Sequence, residues 1–299
     1  MTMAEGVVVA GGTATNAWSV PALEALGVGQ RPIMGIGTSS GLMNLLLWAS
    51  HREKELRGIW TEAGQEGLSW FQAPNILGLK QGLFTMDPLR RKMEKRYNIT
   101  AKGLRSPLYA GVTFLGDTRN VNVHMNPLGQ EQFLQTAIAS CTQDGIHEGV
   151  ILGNEWAGDG GVLNAIPSLY LPEMPHRKIV GMTEPAYARI GRVEHWRILV
   201  PHPIEADQRY PKRSFGKLDT AWERAAHVLA CMIGNTVLGD VKERIEEARS
   251  LGAKQIDFYA PRTWSEVMSP WKLDPEAVAQ RFQSGDECWR RGPRISIKF

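Results

Sequence analysis

The sequence predicts an α/β fold built on a parallel sheet, and three observations carry that expectation. Two short apolar runs each end in glycine: Gly6 to Ala10 (GVVVA) runs into Gly11-Gly12, and Pro32 to Gly37 (PIMGIG) follows Gly27 and Gly29. β-Branched or apolar runs of this length, stopped by glycine, read as buried strands. Each run is followed by helical spacing, with apolar residues at Trp18, Val20, Leu23 and Leu26 after the first, and a helix from Gly41 to about Arg57 after the second. The order strand, glycine turn, helix, strand, serine, helix is a βαβα start, and such alternation implies parallel strands. Third, 299 residues at 43% apolar composition supply a large core without a disulfide or metal staple.

The remaining elements follow in order. Phe71 to Leu83 reads as a surface segment. Asp87-Pro88 opens a helix, with Asp as N-cap and Pro at the first position. Its run of Arg90, Arg91, Lys92, Lys95 and Arg96 reads as a solvated face. Leu108 to Leu115 and Val121 to Met125 are strands joined by a turn at Gly116-Asp117, and Glu131 to Ala139 is helical. Lys178 to Met182 and Trp196 to Val200 are candidate strands. Asp219 to Ser250 is helical, with Gly234 and Gly239 suggesting two helices. Gln255 to Tyr259 is a late strand, and Asp274 to Trp289 a terminal helix with Pro275 at its start. No repeat, low-complexity tract or linker divides the chain, so one domain over 1–299 is expected.

Composition excludes several function classes. A net charge of +3 is too small for a nucleic-acid signature. The three cysteines are far apart, with no CxxC pair and no HExxH, so no standard zinc site is readable. Each cysteine reads as a small core residue in a reducing compartment. The N-terminal residues lack a basic n-region, and no apolar stretch reaches the roughly 20 residues that cross a bilayer. The expectation is a cytoplasmic protein. Oligomeric state is not readable.

The stretch GIGTSSGLMN, Gly35 to Asn44, admits three readings. A dinucleotide loop fails on spacing, because Gly41 comes one residue too late for GxGxxG and neither Glu55 nor Glu62 sits at a strand end. A structural turn with an idle serine stays open on the GxSxG pattern alone. The third reading is a nucleophile elbow. Gly37 and Gly41 permit a strained strand-to-helix turn that presents Ser39, and the following helix N-terminus, with the Ser40 N–H, stabilises an oxyanion. Thr38 and Ser40 flank the apex. A serine needs a base. Only 38 residues precede Ser39, too few for the strand order of an ordinary α/β-hydrolase. The segment WAGDGGVLNAIPS, Trp156 to Ser168, offers Asp159 on a tight glycine turn, where a carboxylate can be aimed at a buried partner. His124 and His147 are weaker candidates for a base.

These parts together resemble the patatin-like phospholipase family. The matching pieces are Ala10-Gly11-Gly12-Thr13 for its oxyanion loop, Gly37-Thr38-Ser39-Ser40-Gly41 for its GxSxG, and Asp159-Gly160-Gly161 for its DG[GA] turn about 120 residues later. AIASCTQDGIHEGV (Ala137 to Val150) sits where the family has an AxxASxAxP stretch, and WKLDPEAVAQRFQSGDECW resembles the terminal helix of bacterial members. Two departures stand out: the first loop lacks one glycine and the family's Arg or Lys, for which Asn16 is a candidate substitute, and the proline after the AxxAS stretch is missing.

The resemblance implies a three-layer α/β/α fold and a Ser39-Asp159 dyad without histidine. It implies an oxyanion hole from Gly11, Gly12, Thr13 and Ser40, lipid acyl or simple esters as substrates, and no need for a metal or organic cofactor. Leu42 and Met43, next to the nucleophile, are expected to border the acyl pocket. Contact with a membrane surface fits such a substrate, and tryptophan suits a wet–apolar boundary, although most of the ten tryptophans read more simply as core or scattered surface residues. The alternative is a non-catalytic relative that binds lipid or protein, supported only by the altered oxyanion loop.

Overall fold

The computed structural model describes residues 3–29, 31–74, 82, 84–143, 146–171, 193–204, 221–267 and 272–299, without side chains at 162 and 221–235. In chain order the strands are β1 (Glu5–Val9), β2 (Met34–Thr38), the two-residue β3 (Ala73–Pro74) and β4 (Phe84–Thr85), β5 (Leu108–Phe114) and β6 (Arg119–His124). They continue with β7 (Val150–Leu152), β8 (Glu155–Asp159), β9 (His195–Leu199), β10 (Gln255–Tyr259) and β11 (Ile295–Lys298). The α-helices are α1 (Val20–Val28), α2 (Ser39–Ala49), α3 (Leu56–Glu66), α4 (Asp87–Arg91), α5 (Gln130–Ala139), α6 (Ala221–Ser250) and α7 (Pro275–Arg291).

The main sheet runs β11-β10-β9-β1-β2-β5-β8-β7, with β6 also paired to β5. The five central strands β10, β9, β1, β2 and β5 are parallel, and antiparallel strands close both sides. Alternation along β1 divides the core. Val7 and Val9 join the cluster that packs under α1, α2, α3, α5 and α7, whereas Val8 joins the cluster on the other face with Val237, Val241 and Ala248 of α6. The result is the expected three-layer α/β/α arrangement with a mostly parallel centre.

From β1 the chain passes to β2 on one side and later returns through β9 on the other. Such a reversal leaves a crevice at the carboxyl ends of the strands, where open α/β sheets bind their ligands. Gly11-Gly12 and Ser39 both lie there.

Several elements differ from expectation. The segment after Gly12 is a 3₁₀-helix (Thr13–Ser19) before α1 begins. The helix expected over 41–57 ends at Ala49; His51 takes φ 59°, and α3 starts at Leu56. Asp87 is the first residue of α4 and not its cap; Met86 holds that position, and α4 runs into a π-helical turn (Lys92–Arg96). Arg91, Lys95 and Arg96 are exposed there and Arg90 pairs with Glu131, but Lys92 departs from the expected solvated face, being half-buried against Glu62, Glu66 and the Trp70 ring. The stretch around Gly234 and Gly239 is one continuous helix. β7, β8 and β11 were not foreseen. The candidate strand 178–182 lies outside the described residues.

Cys141 and Cys288 are free and buried. Trp18, Trp48, Trp60, Trp70, Trp196 and Trp264 are core residues, with Trp156 exposed on the β7–β8 hairpin. Among the described residues no helix is long and apolar enough to cross a membrane.

Candidate active site

Ser39 sits where β2 turns into α2, with φ 53°. A non-glycine residue in the left-handed region is strained, and the cost of order 1–3 kcal/mol is borne by its surroundings. The neighbouring glycines show why the turn demands them. A Cβ on Gly37 would stand 2.8 Å from the Leu42 Cα, and one on Gly41 would stand 2.5 Å from the carbonyl oxygens of both Val9 and Ala10. The GxSxG spacing therefore lets α2 pack directly onto the end of β1. Behind the turn, the Ser39 N–H donates to the Ser140 carbonyl at 3.0 Å and to its Oγ at 3.1 Å. The Ser140 hydroxyl in turn donates to the Gly111 carbonyl at 2.7 Å. Ser140 belongs to the AIASCT stretch and is the brace that the motif reading did not identify.

Asp159 reaches Ser39 through sheet register. Along one edge of β5, residues Leu108 to Gly111 pair with β2, and Val112 to Phe114 pair with β8 running the opposite way. The carboxyl ends of β2 and β8 therefore meet head-on, with Thr38 opposite Gly111 and Asp159 opposite Val112. Residues 120 positions apart in sequence become neighbours in this way. A Cβ on Gly160 would stand 2.5 Å from the Gly111 oxygen and the Thr38 Oγ1, so the DGG turn needs glycine for close approach. Gly161 is needed as a donor; its N–H gives Asp159 Oδ1 a 2.7 Å hydrogen bond.

The Asp159 carboxyl is buried, stands beside the Ser39 side chain, and accepts a long hydrogen bond, 3.5 Å, from the Thr38 hydroxyl. Burial pushes its pKa up to about 6, against the hydrogen bonds from Ser39, Gly161 and Thr38 that favour the carboxylate. The group is thus ionised at neutral pH yet a stronger base than an exposed aspartate, which suits proton abstraction.

The glycine loop is only partly as expected. The Gly11 N–H donates to the Ala165 carbonyl at 2.9 Å, so it is engaged and is not an oxyanion donor in this conformation. Gly12 and Ser40 have no acceptor for their N–H groups among the described residues. Thr13 and Ser40 line the cleft beside Ser39, and Thr13 has φ 47°. Gly12 has φ 178°, an extended conformation open to any residue. It is glycine for space, because a Cβ would stand 2.5 Å from Pro201 Cγ and 3.1 Å from His202 Nε2. Asn16 does not replace the absent Arg or Lys. Its amide donates at 2.8 Å to the Ala10 carbonyl and at 2.8 Å to the Ser40 Oγ, tying loop to elbow.

The cleft at Ser39 is narrow, about 60 Å³, and mainly apolar. Met43 lines it together with Phe71, Met86 and Leu89. Leu42 does not; it is fully buried against the elbow, because successive helix residues point about 100° apart. His147 lines the cleft, but its Nδ1 accepts the Gln143 N–H at 3.0 Å and its Nε2 contacts Gln72 at 2.6 Å, so neither nitrogen is left for Ser39. His124 stacks on Tyr109 and does not line the cleft. Among the described residues no group of three His, Cys, Asp or Glu side chains is placed to hold a metal ion.

The model of the patatin-like phospholipase family matches residues 7–171 of this chain. That span holds the glycine loop, the elbow and the DGG turn and is more than half the chain, so the protein belongs to the patatin-like phospholipase family. Members act on lipid and ester substrates. Among solved structures, VipD from Legionella pneumophila is similar at 12% identity and a TM-score of 0.39, covering 100% of this chain and 68% of that one. No curated protein matches the chain.

Proposed function

We propose that the protein is a serine acyl hydrolase that cleaves lipid-type carboxylic esters through an acyl-enzyme on Ser39. The observation that carries this reading is the placement of the strained Ser39 and the buried Asp159 side by side where the carboxyl ends of β2 and β8 meet. Ser39 Oγ attacks the ester carbonyl as Asp159 takes its proton. The oxyanion is held by N–H groups at Gly12, Thr13 and Ser40, at the N-terminus of α2. Asp159 returns the proton to the leaving alcohol, and then acts as base for the water that frees the acid. Met43 borders the acyl chain.

The whole chain acts as one domain in this reading, since β9, β10 and β11, beyond the family match, extend the same sheet beside β1. The two free buried cysteines suit a reducing cytoplasm, and a lipid substrate suits peripheral contact with a membrane surface. The test is turnover of short-chain esters and phospholipid by the protein and by Ser39→Ala. Turnover lost in Ser39→Ala supports the reading. Turnover surviving in that variant, or absent from the unaltered protein, favours the non-catalytic binding relative.

A further inference from the structure

A fully buried histidine stands behind the glycine loop, and the Ser39–Asp159 chemistry does not use it. β9 lies parallel to β1 with Leu199 opposite Val9, so Gly12 and His202, each the third residue past its strand, come side by side. The His202 ring has no exposure and packs on Trp264, with ring centroids 5.1 Å apart. Among the described residues neither ring nitrogen completes a hydrogen bond. Buried polar groups are nearly always paired, so an orphaned imidazole needs a reason.

The ring faces the peptide between Gly11 and Gly12. A Cβ on Gly12 would stand 3.1 Å from His202 Nε2, which makes Nε2 the nitrogen on the loop side. With Gly12 at φ 178°, the Gly11 carbonyl lies on the same side of the chain as that Cβ. It stands beside the ring without closing a hydrogen bond. In a planar trans peptide the N–H points opposite to the C=O, so the Gly12 N–H points away from His202. Burial pushes the ring pKa down to about 4, so at neutral pH the ring is uncharged and carries one proton.

We propose that His202 is a positioning residue for the oxyanion hole: its Nε2–H donates to the Gly11 carbonyl as the Gly12 N–H, on the far side of the same peptide, takes up the oxyanion. This rests on the hydrolase reading above. Hydrogen bonds in a chain polarise one another, so an oxyanion on the N–H makes the carbonyl behind it a better acceptor. In the resting protein that pull is absent and the bond stays open, as catalytic hydrogen bonds often do before substrate is bound. The buried donor is then satisfied only as the tetrahedral intermediate forms. An interaction made only at that stage raises kcat and leaves KM unchanged.

The experiment compares kcat/KM for p-nitrophenyl butanoate and its thiono analogue, in which sulfur replaces the carbonyl oxygen. Sulfur is the weaker acceptor, so the oxygen-to-sulfur ratio reads the strength of the oxyanion hole. It is measured in the unaltered protein, in His202→Leu, which removes the donor at similar volume, and in His202→Gln, which keeps an N–H donor. Taking the ratio cancels the fraction of active enzyme, and comparing variants cancels the intrinsic reactivity of the two esters. His202→Leu should lower the ratio about two- to tenfold, the range for one neutral hydrogen bond. The loss should fall on kcat for the oxygen ester, with KM unmoved. His202→Gln should keep most of the ratio. If His202→Leu does not fold, His202→Met, which also lacks a donor, takes its place. A ratio unmoved in the folded donor-free variant, or lowered equally in His202→Gln, overturns the role of His202 and leaves the hydrolase reading standing. Failure of the unaltered protein to cleave the oxygen ester overturns both readings.

Discussion

Replacing Asp159 with Asn should remove activity and raise stability, and the structure sets the size of the gain. Burial raises the carboxyl's pKa from its ordinary 3.8 to about 6, so folding favours its protonated form. A raised folded-state pKa means that stability is fully present below the unfolded value and is lost as pH rises through the folded one. The separation is about 2 pKa units, or about 3 kcal/mol at 1.36 kcal/mol per unit, all of it lost by pH 8. A neutral Asn never incurs that loss. Asp159→Asn should therefore be more stable than the unaltered protein by up to about 3 kcal/mol at pH 8, by roughly half that at pH 5, and by almost nothing at pH 3. Denaturant unfolding at the three pH values measures the gap. Turnover should fall by about 10² to 10⁴, the usual loss for a general base. A variant that is less stable at pH 8, or a gap that does not change with pH, would refute the argument that Asp159 is held ionised at a cost.

Other expectations follow from the same geometry. The kcat/KM of the unaltered protein should rise with pH along a limb centred near pH 6, since Asp159 must be ionised to act as base; a pH-profile centred near 4 would contradict its burial. Gly41→Ala should cost about 1–3 kcal/mol in thermal unfolding, because its Cβ meets the backbone carbonyls of Val9 and Ala10 and nothing flexible can give way. Butanoyl esters should exceed acetyl esters in kcat/KM by at most roughly fifteenfold, from two methylenes at about 0.8 kcal/mol each. The gain should flatten soon after, since the cleft at Met43 is small, and Met43→Ala should extend it to longer chains; a fall from acetyl onward would refute an acyl cleft there.

Much of this site was legible because its demands are local. Gly37 and Gly41 bracket Ser39 at the spacing a strand-to-helix turn needs, and Gly160-Gly161 mark the turn at Asp159. What local pattern cannot carry is register. Nothing in Glu155–Asp159 says that this strand will lie antiparallel on β5, continuing the same edge where β2 stops, yet that pairing brings the dyad together. The same limit explains Gly11, which reads as an oxyanion donor until the Ala165 carbonyl, far along the chain, takes its N–H. Leu42 and Met43 are equally apolar neighbours, and only the direction of α2 separates a core residue from a cleft residue. Gly234 and Gly239 read as a break at about 1 kcal/mol each, but α6 runs through both, as tertiary packing overrides a weak propensity. In the opposite sense, α2 ends at Ala49 with His51 at φ 59°, where neither Gly nor Pro announces a stop.

The central claim is that Ser39 is a nucleophile activated by Asp159. Incubation with a fluorophosphonate followed by intact-mass and peptide analysis tests it most directly. The account predicts one adduct per chain, located on the peptide containing Ser39, absent from Ser39→Ala and formed far more slowly in Asp159→Asn. An adduct that persists in Ser39→Ala, or one that forms at an undiminished rate without the Asp159 carboxylate, would contradict it.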